Sequence, residues 1–494
     1  MKKKLLIISA LFAVSSLFIF AQSEDELFGG SDFFEDDLFG DDLIEESEDT
    51  SIVSDSSRGV LFENGSVKIG GSFSSSVSAE TKLYDPDEKD FGKNLKDTTL
   101  SPKLSAYLTV DARPTENLRM YTKFGMAYPF VVSAGTTLWG EVKKDINIPG
   151  GQKITAGTKV PASMIPALNK LIVNEDDKIS ISSAATALRD WFNLKELFTD
   201  FSVADTAFFR FGVHTVSWGA GYFFSPVSDM INTSPIDPEH PTEQVNGSLN
   251  LRTQIVFPDT VNCLWLYAIP STNFNGASAA SYLRDTALAA KYDFLLGNWE
   301  IGTGAFWKYE NAPKVMSTFT GSIKKLNIFG EAVYQYGAAD EWNKNKNWDN
   351  KTSIFQATIG AMYYWKDPKI NLAIQYYYDS NDVDLVNRVT TNGHNIALMA
   401  SFGNIFNIDH LSASLFGLVN IGKAGVSDAE KAQYGPVLEA TGLEIPCLTV
   451  NASLNYSPTD SLKFNLGPSL MFTSFDKKPT VSLKIGATLG GGKY

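Results

Sequence analysis

Residues 208–237 read FFRFGVHTVSWGAGYFFSPVSDMINTSPID. The first half alternates, with Phe209, Phe211, Val213 and Thr215 on one side and Phe208, Arg210, Gly212 and His214 on the other, the period-2 pattern of a strand with an apolar and a polar face. The second half is a loop rich in Gly, Pro and aromatic residues. A strand that turns its apolar side outward and Arg and His inward, then breaks into a long loop, suits a water-filled barrel in a membrane.

The flanking chain agrees. From residue 66 onward eighteen alternating segments follow one another: 66–83, 100–112, 117–130, 194–203, 207–218, 247–257, 260–269, 284–296, 298–310, 315–324, 326–336, 352–365, 369–379, 393–403, 409–422, 447–457, 461–475 and 479–489. Most are long enough for a tilted strand to cross a hydrocarbon layer, which takes ~9 to 11 residues. Tight polar turns such as Arg113-Pro114-Thr115-Glu116, Pro258-Asp259, Gly297-Asn298, Lys324-Lys325 and Lys366-Asp367-Pro368 follow the even-numbered segments. The odd-numbered ones lead mostly into long connections, among them 131–193, 218–246, 337–351, 380–392 and 423–446. A soluble sandwich has no reason to sort its loops by strand parity. The pattern predicts an all-β fold, a transmembrane antiparallel up-and-down barrel of about eighteen strands, with sixteen possible, having short periplasmic turns and long outer loops. Lipid cannot satisfy an edge strand, so the barrel must close. At sixteen to eighteen strands it is wide enough for an aqueous channel. Aromatics near strand ends, Tyr128, Trp218, Trp307, Tyr309, Tyr334, Tyr336, Tyr363, Trp365 and Tyr456, are expected to form the interfacial girdles.

Composition fixes the compartment. Lys2, Lys3 and Lys4 precede an apolar run from Leu5 to Phe20 and the small Ala21, so residues 1–21 read as a secretory signal peptide. No later run of ~18 apolar residues offers a helical span. Of the formal charge of −14, the signal carries +3 and residues 22–57 carry −14, which leaves −3 for residues 58–494. Residues 22–57 form an acidic tail with a short Leu-Phe-Gly repeat at Leu27-Phe28-Gly29 and Leu38-Phe39-Gly40. It reads either as a solvated periplasmic tail or as a linear motif that docks on a partner or the barrel mouth. Residues 58–494 are the barrel, nearly neutral and without a nucleic-acid-binding patch. Cys263 and Cys447 fall toward opposite ends of distant strands and are expected to stay unbonded. With four His they give no metal-ligand spacing, so neither metal nor cofactor is expected.

Parity assigns the lumen. Lys484, Lys68, Lys103, Arg119, Lys123, Arg210 and Arg252 fall inward on one arc, with Asp111 the main exception. Asp293, Glu300, Glu331 and Asp379 fall on the other, with Lys291 and Lys308 among them. Two arcs of opposite sign would set a field across the channel; alternatively the charges only solvate the wall and pair locally. Catalysis finds no support: His214 is the only mid-strand inward His, Ser217 lies on the opposite parity, and no nucleophile, base and orienting group converge.

Arg210-Phe211-Gly212-Val213-His214, then Trp218-Gly219-Ala220-Gly221 and Phe224-Ser225-Pro226 with Asp229 and Asn232, resembles a segment of large bacterial outer-membrane porin-like barrels. In them a strand ending in Trp-Gly runs into a Phe-x-Pro loop. The resemblance implies a loop folded into the pore as a constriction, here carried by Tyr222, Phe223, Phe224, Pro226, Asp229 and Asn232. Gly219 and Gly221 would permit close approach to the wall, and the three aromatics would offer stacking surface. An external loop behind an aromatic anchor is the other reading. Residues 183–192 (SAATALRDWF) have helical spacing and are a second candidate plug.

The reading is a passive outer-membrane channel for small hydrophilic solutes, not an enzyme, whose partners are membrane lipid, the solutes and the barrel insertion machinery. The insertion signal is imperfect, because Gly490, Gly491, Gly492 and Lys493 separate the last strand from Tyr494. Arg119, Lys123, Arg210, His214, Arg252, Glu300, Glu331 and Asp379 are the expected selectivity lining. Two other classes stay open: an uptake barrel for hydrophobic substrates of the fatty-acid type, and a surface-exposed structural or adhesive barrel. Monomer and trimer are equally compatible with the sequence.

Overall fold

The structure is a computed structural model. It describes residues 60–84, 91–96, 98–128, four short strand pieces between 139 and 161, and then 193–204, 206–232, 235–241, 244–258, 260–270, 283–366, 369–381, 393–408, 410–421, 446–459, 462–473 and 479–493. The signal peptide, the acidic tail and the 183–192 segment lie outside the described residues.

Eighteen strands form one ring: β1 (Val67–Tyr84), β2 (Thr99–Thr115), β3 (Leu118–Tyr128), β4 (Asn193–Val203), β5 (Ala207–His214), β6 (Ser248–Val256), β7 (Cys263–Ile269), β8 (Ala287–Leu296), β9 (Trp299–Trp307), β10 (Lys314–Ile323), β11 (Leu326–Tyr336), β12 (Ser353–Trp365), β13 (Ile370–Asp379), β14 (Gly393–Phe402), β15 (Leu411–Asn420), β16 (Pro446–Thr459), β17 (Leu462–Thr473) and β18 (Pro479–Lys493). Each pairs antiparallel with its sequence neighbours, and β1 pairs with β18, so the barrel closes. Each of the eighteen alternating segments of the sequence is one of these strands. Gly490 to Lys493 continue the last strand instead of ending it, with Gly492 opposite Phe73 and Lys493 opposite Ser72. Below that point a short leading strand, Val60–Asn64, takes over the same edge of β1, pairing with Gly70 down to Val67. The flank of β1 that β18 leaves uncovered is thereby supplied with hydrogen-bond partners.

Side-chain alternation follows from the pleat. On the outer face Leu104, Phe124, Phe211, Leu288, Phe355, Ile359, Ile374, Leu398, Phe464 and Ile485 are all exposed. A closed antiparallel barrel wearing such a belt is built to stand in lipid, which asks for apolar side chains outside and no free strand edge. Tyr128, Trp307, Tyr309, Tyr334, Trp365 and Tyr456 are exposed near strand ends, where girdle aromatics sit. Trp218 does not join them: it is 5% exposed and lies inside the barrel. The two-residue turns after β8 and β10 start with a residue at positive φ, Gly297 at +64° and Lys324 at +59°, the backbone that tight hairpins demand. Both cysteines are free.

Candidate functional site

β5 ends at His214, four residues before the alternation does, and the chain turns into the lumen. The cause is local. Asn232 clasps Val216, accepting its N–H at 2.9 Å and donating its amide to its carbonyl at 2.9 Å, so these backbone groups are withdrawn from the ladder. Thr215 Oγ1 donates to the Val245 carbonyl at 2.7 Å and closes the base of the loop. Within the loop the Trp218 indole N–H donates to the Val227 carbonyl at 2.8 Å, and the Gly219 N–H to Ser228 Oγ at 2.9 Å. The tight course needs glycine. A Cβ on Gly221 would stand 1.9 Å from the Phe224 carbonyl oxygen, and one on Gly219 would stand 2.1 Å from Ser225 Oγ and 2.4 Å from Glu331 Oε1.

Three wall residues hold the stretch from Trp218 to Val227. Glu331 on β11, 3% exposed, accepts from the Gly221 N–H, from the Val227 N–H at 2.9 Å and from Ser225 Oγ at 2.9 Å. Gln375 on β13, fully buried, accepts from the N–H groups of Phe223 at 2.6 Å and Tyr222 at 3.1 Å, and its amide donates to the Phe224 carbonyl at 2.7 Å. Lys291 on β8 donates to the Trp218 carbonyl at 2.7 Å and pairs with Asp293 at 3.0 Å. A strip of backbone carried into a barrel must find such partners, because each unpaired buried N–H or C=O costs ~1–3 kcal/mol.

Between the anchors the loop packs on apolar side chains that the barrel turns inward. Phe223, fully buried, sits among Ala373, Ala397, Met399 and Phe416. Phe224 stacks on Tyr377 at 5.0 Å and 14°. Val216, Trp218, Val227 and Ile231 cover Tyr267, Ala289, Met316 and Val333, with the Trp218 and Tyr267 rings edge to face at 4.8 Å. Pro226 is buried between these clusters. The loop therefore fills the side of the lumen lined by β7 to β15, and Tyr222, Phe223 and Phe224 serve as its anchors.

Asp229, within the loop, has Glu331 and Lys314 as electrostatic neighbours, and Lys314 in turn lies near Asp379. Burial, with the Glu331 carboxylate second, pushes the Asp229 carboxyl up to about 7. Asp379 on β13 accepts from Gln356 Nε2 at 2.9 Å, Tyr377 Oη at 3.1 Å and the Asn381 N–H at 2.8 Å. Glu300, on β9 near its short turn, has Asp293 and Lys291 nearby.

The basic side is compensated. Arg210 donates to both carboxylate oxygens of Asp200 at 2.7 and 3.0 Å, and its guanidinium lies 4.0 Å from the Phe198 ring centre. Arg119 pairs with Asp111 at 3.0 Å and reaches Asp200 at 3.9 Å. Lys68 stands opposite Asp111, and Lys123 opposite Glu196. Lys123 also donates to Gln244 of the loop at 2.8 Å. Arg252 stands opposite Arg210 with its guanidinium 5.5 Å from the Trp265 ring centre. His214 is fully buried, and neither ring nitrogen meets a hydrogen-bond partner among the described residues. An arc of one sign is therefore not what the lumen presents. Asp200 and Glu196 were readable as inward from strand parity alone. Gln375 had a weaker signal, one polar residue among inward positions that also hold Asn371, Ala373, Tyr377 and Asp379. Among the described residues no three His, Cys, Asp or Glu gather to hold a metal ion.

No protein-family model and no curated protein sequence matches the chain. Among solved structures it is similar to OccK11 (OpdR) of Pseudomonas aeruginosa, at 8% identity over 88% of this chain and 97% of that one, with a TM-score of 0.44. OccK9 (OpdG) of the same organism follows at 9% identity, 86% and 98% coverage and a TM-score of 0.43. OccAB4 of Acinetobacter baumannii gives 8% identity, 86% and 98% coverage and 0.43. At this degree of overlap these are likenesses only, and the barrel and its inward loop rest on the strand ladder and the contacts above.

Proposed function

We propose that this chain is an outer-membrane channel through which small hydrophilic solutes diffuse, with the 215–247 loop as its constriction. The observation that carries the reading is the loop's course inside a closed eighteen-stranded ring, pinned to the far wall by Glu331 and Gln375. A barrel of this strand number is too wide for side chains alone to fill. Among the described residues the Trp218–Ile231 part of the loop packs on β7 to β15, and the side lined by β16 to β18 and β1 to β4 is the proposed solute path.

Arg119, Lys123 and Arg252 are the proposed polar lining on the β3 to β6 wall beside that path; Arg210, held by Asp200, and the fully buried His214 stand behind it and shape the wall instead of touching the solute. Glu300 and Asp379 belong to the loop-covered wall, and Glu331 acts by positioning the loop. The engagement of Phe223 and Phe224 in packing speaks against a path that grips acyl chains, because those rings are already covered. Refolded protein in planar bilayers tests the proposal: discrete ohmic conductance steps are expected, and correctly inserted protein without steps would refute it.

A further inference from the structure

The side of the lumen away from the docked loop is lined by amides and hydroxyls. Thr449, Asn451, Ser453 and Asn455 succeed one another on the inward face of β16, and Asn465 and Ser469 stand beside them on β17. On β1 the inward positions from 72 to 78 are all serine. These groups are wired together: Asn465 Nδ2 donates to Asn455 Oδ1 at 2.7 Å and to Ser453 Oγ at 3.2 Å, and Ser469 and Ser482 share a hydroxyl hydrogen bond at 2.7 Å. The Asn455 amide nitrogen, buried in this wall, has no partner among the described residues. The loop meets this band at Asn451, whose amide donates to Glu239 at 3.3 Å.

Charges bordering the band engage one another, with Asp111 shared by two cations. Glu80 faces Lys484 across the β1–β18 ladder and also accepts from Ser482 Oγ at 3.2 Å, Lys68 faces Asp111, and Arg119 bonds Asp111. Lys103 faces Ser76 and Lys463 faces Thr488, near the outer and periplasmic ends of their strands. Along the band a charged solute would have to compete with pairs already made. A solute bearing many hydroxyls, each both donor and acceptor, can exchange hydrogen bonds with the band at every step.

We propose that the path favours uncharged polyhydroxylated solutes, the carbohydrate class, handed along the Asn/Ser/Thr band of β16, β17 and β1. The inference rests on the channel reading above. The test is swelling of liposomes carrying the full mature chain in isotonic glucose, sodium gluconate and glucosamine hydrochloride, with KCl conductance recorded on the same preparation. Glucose is expected to enter several-fold faster than either charged counterpart of similar size. An Asn455→Leu/Asn465→Leu variant should lose that preference while its KCl conductance stays within about twofold of wild type. Should that variant fail to refold, Ser453→Ala/Ser469→Ala supplies the smaller perturbation, expected to narrow the preference. Conductance steps with equal entry of the three solutes, or an unchanged preference in the variants, would overturn the selectivity inference alone. Absence of both steps and solute entry would overturn the channel reading and this inference with it.

Discussion

Glu331→Gln is the sharpest probe of the docked loop, because it changes a single acceptor oxygen to a donor and nothing in volume. The carboxylate accepts from two backbone N–H groups and one hydroxyl, those of Gly221, Val227 and Ser225. A glutamine can accept through one oxygen only, so its amide nitrogen must face a donor. The lost hydrogen bond to a charged group amounts to ~1.5–3 kcal/mol, and the N–H left unpaired in a dry site adds ~1–3 kcal/mol. Together the docked loop should be weakened by about 2.5–6 kcal/mol, roughly two to four powers of ten in its docking equilibrium. The remaining anchors at Gln375, Lys291 and Phe223 would then hold it only part of the time. Since the loop covers the β7 to β15 side of the lumen, its release adds open cross-section. Single-channel recordings should show higher mean conductance and excess open-channel noise, with the far-ultraviolet circular dichroism of the barrel unchanged. Conductance and noise equal to wild type in both Glu331→Gln and Gln375→Leu would refute the account of how the loop is held.

Three further outcomes are expected. Phe223→Ala removes a fully buried ring from among Ala373, Ala397, Met399 and Phe416, and should cost the docked loop ~3–5 kcal/mol, seen as faster protease cleavage within 215–247 while the barrel stays intact. The Asp229 carboxyl is raised to about 7 when docked, mainly by burial, so the docked loop binds a proton that the free loop, at an ordinary 3.8, has already released. Docking is therefore fullest below pH ~4 and weakens by ~1.4 kcal/mol per unit as the pH rises toward 7, then levels off; open-channel noise should rise from pH 5 to 7, and Asp229→Asn should flatten the profile. Ile374→Arg puts a charge on the lipid face of β13 and should lower the stability of the refolded barrel by ~2–4 kcal/mol in urea titrations, whereas a lumenal change such as Asn451→Arg should not.

The barrel was legible in the sequence because two independent signals coincide, alternation within segments and loop length by parity, and each strand they define is a local object. What stayed hidden depends on partners far away in the chain. Nothing near Tyr222 announces Gln375, and nothing near Val227 announces Glu331. An aperiodic loop gives no sign of which side of the wall it will take until those acceptors are in place. The resemblance at Trp218 to Pro226 pointed toward an inward constriction, yet it implied exposed aromatics where the structure has anchors. Trp218 misled for the same reason: an aromatic at a strand end reads as a girdle residue, but its indole N–H is bonded to Val227 and its ring packs on Tyr267. Inward polarity was also only half true. Ala373, Met399, Val333 and Phe416 share the inward parity with Gln375 and Glu331, because a loop folded into a barrel needs a small core of its own beneath it. Asp200 is the opposite case, plain in the parity and sufficient to break the expected basic arc.

The proposed water-filled path runs along the β16 to β18 side of a barrel whose outer face lies in lipid. Cysteine accessibility tests it most directly, on a background with Cys263→Ser and Cys447→Ser, by adding a water-soluble charged methanethiosulfonate reagent during single-channel recording. Asn451→Cys should be modified in steps that reduce the current, and Ile485→Cys, exposed on the outer face of β18, should be unaffected. Current block at Ile485→Cys with none at Asn451→Cys, or no conductance from inserted protein in either, would contradict it.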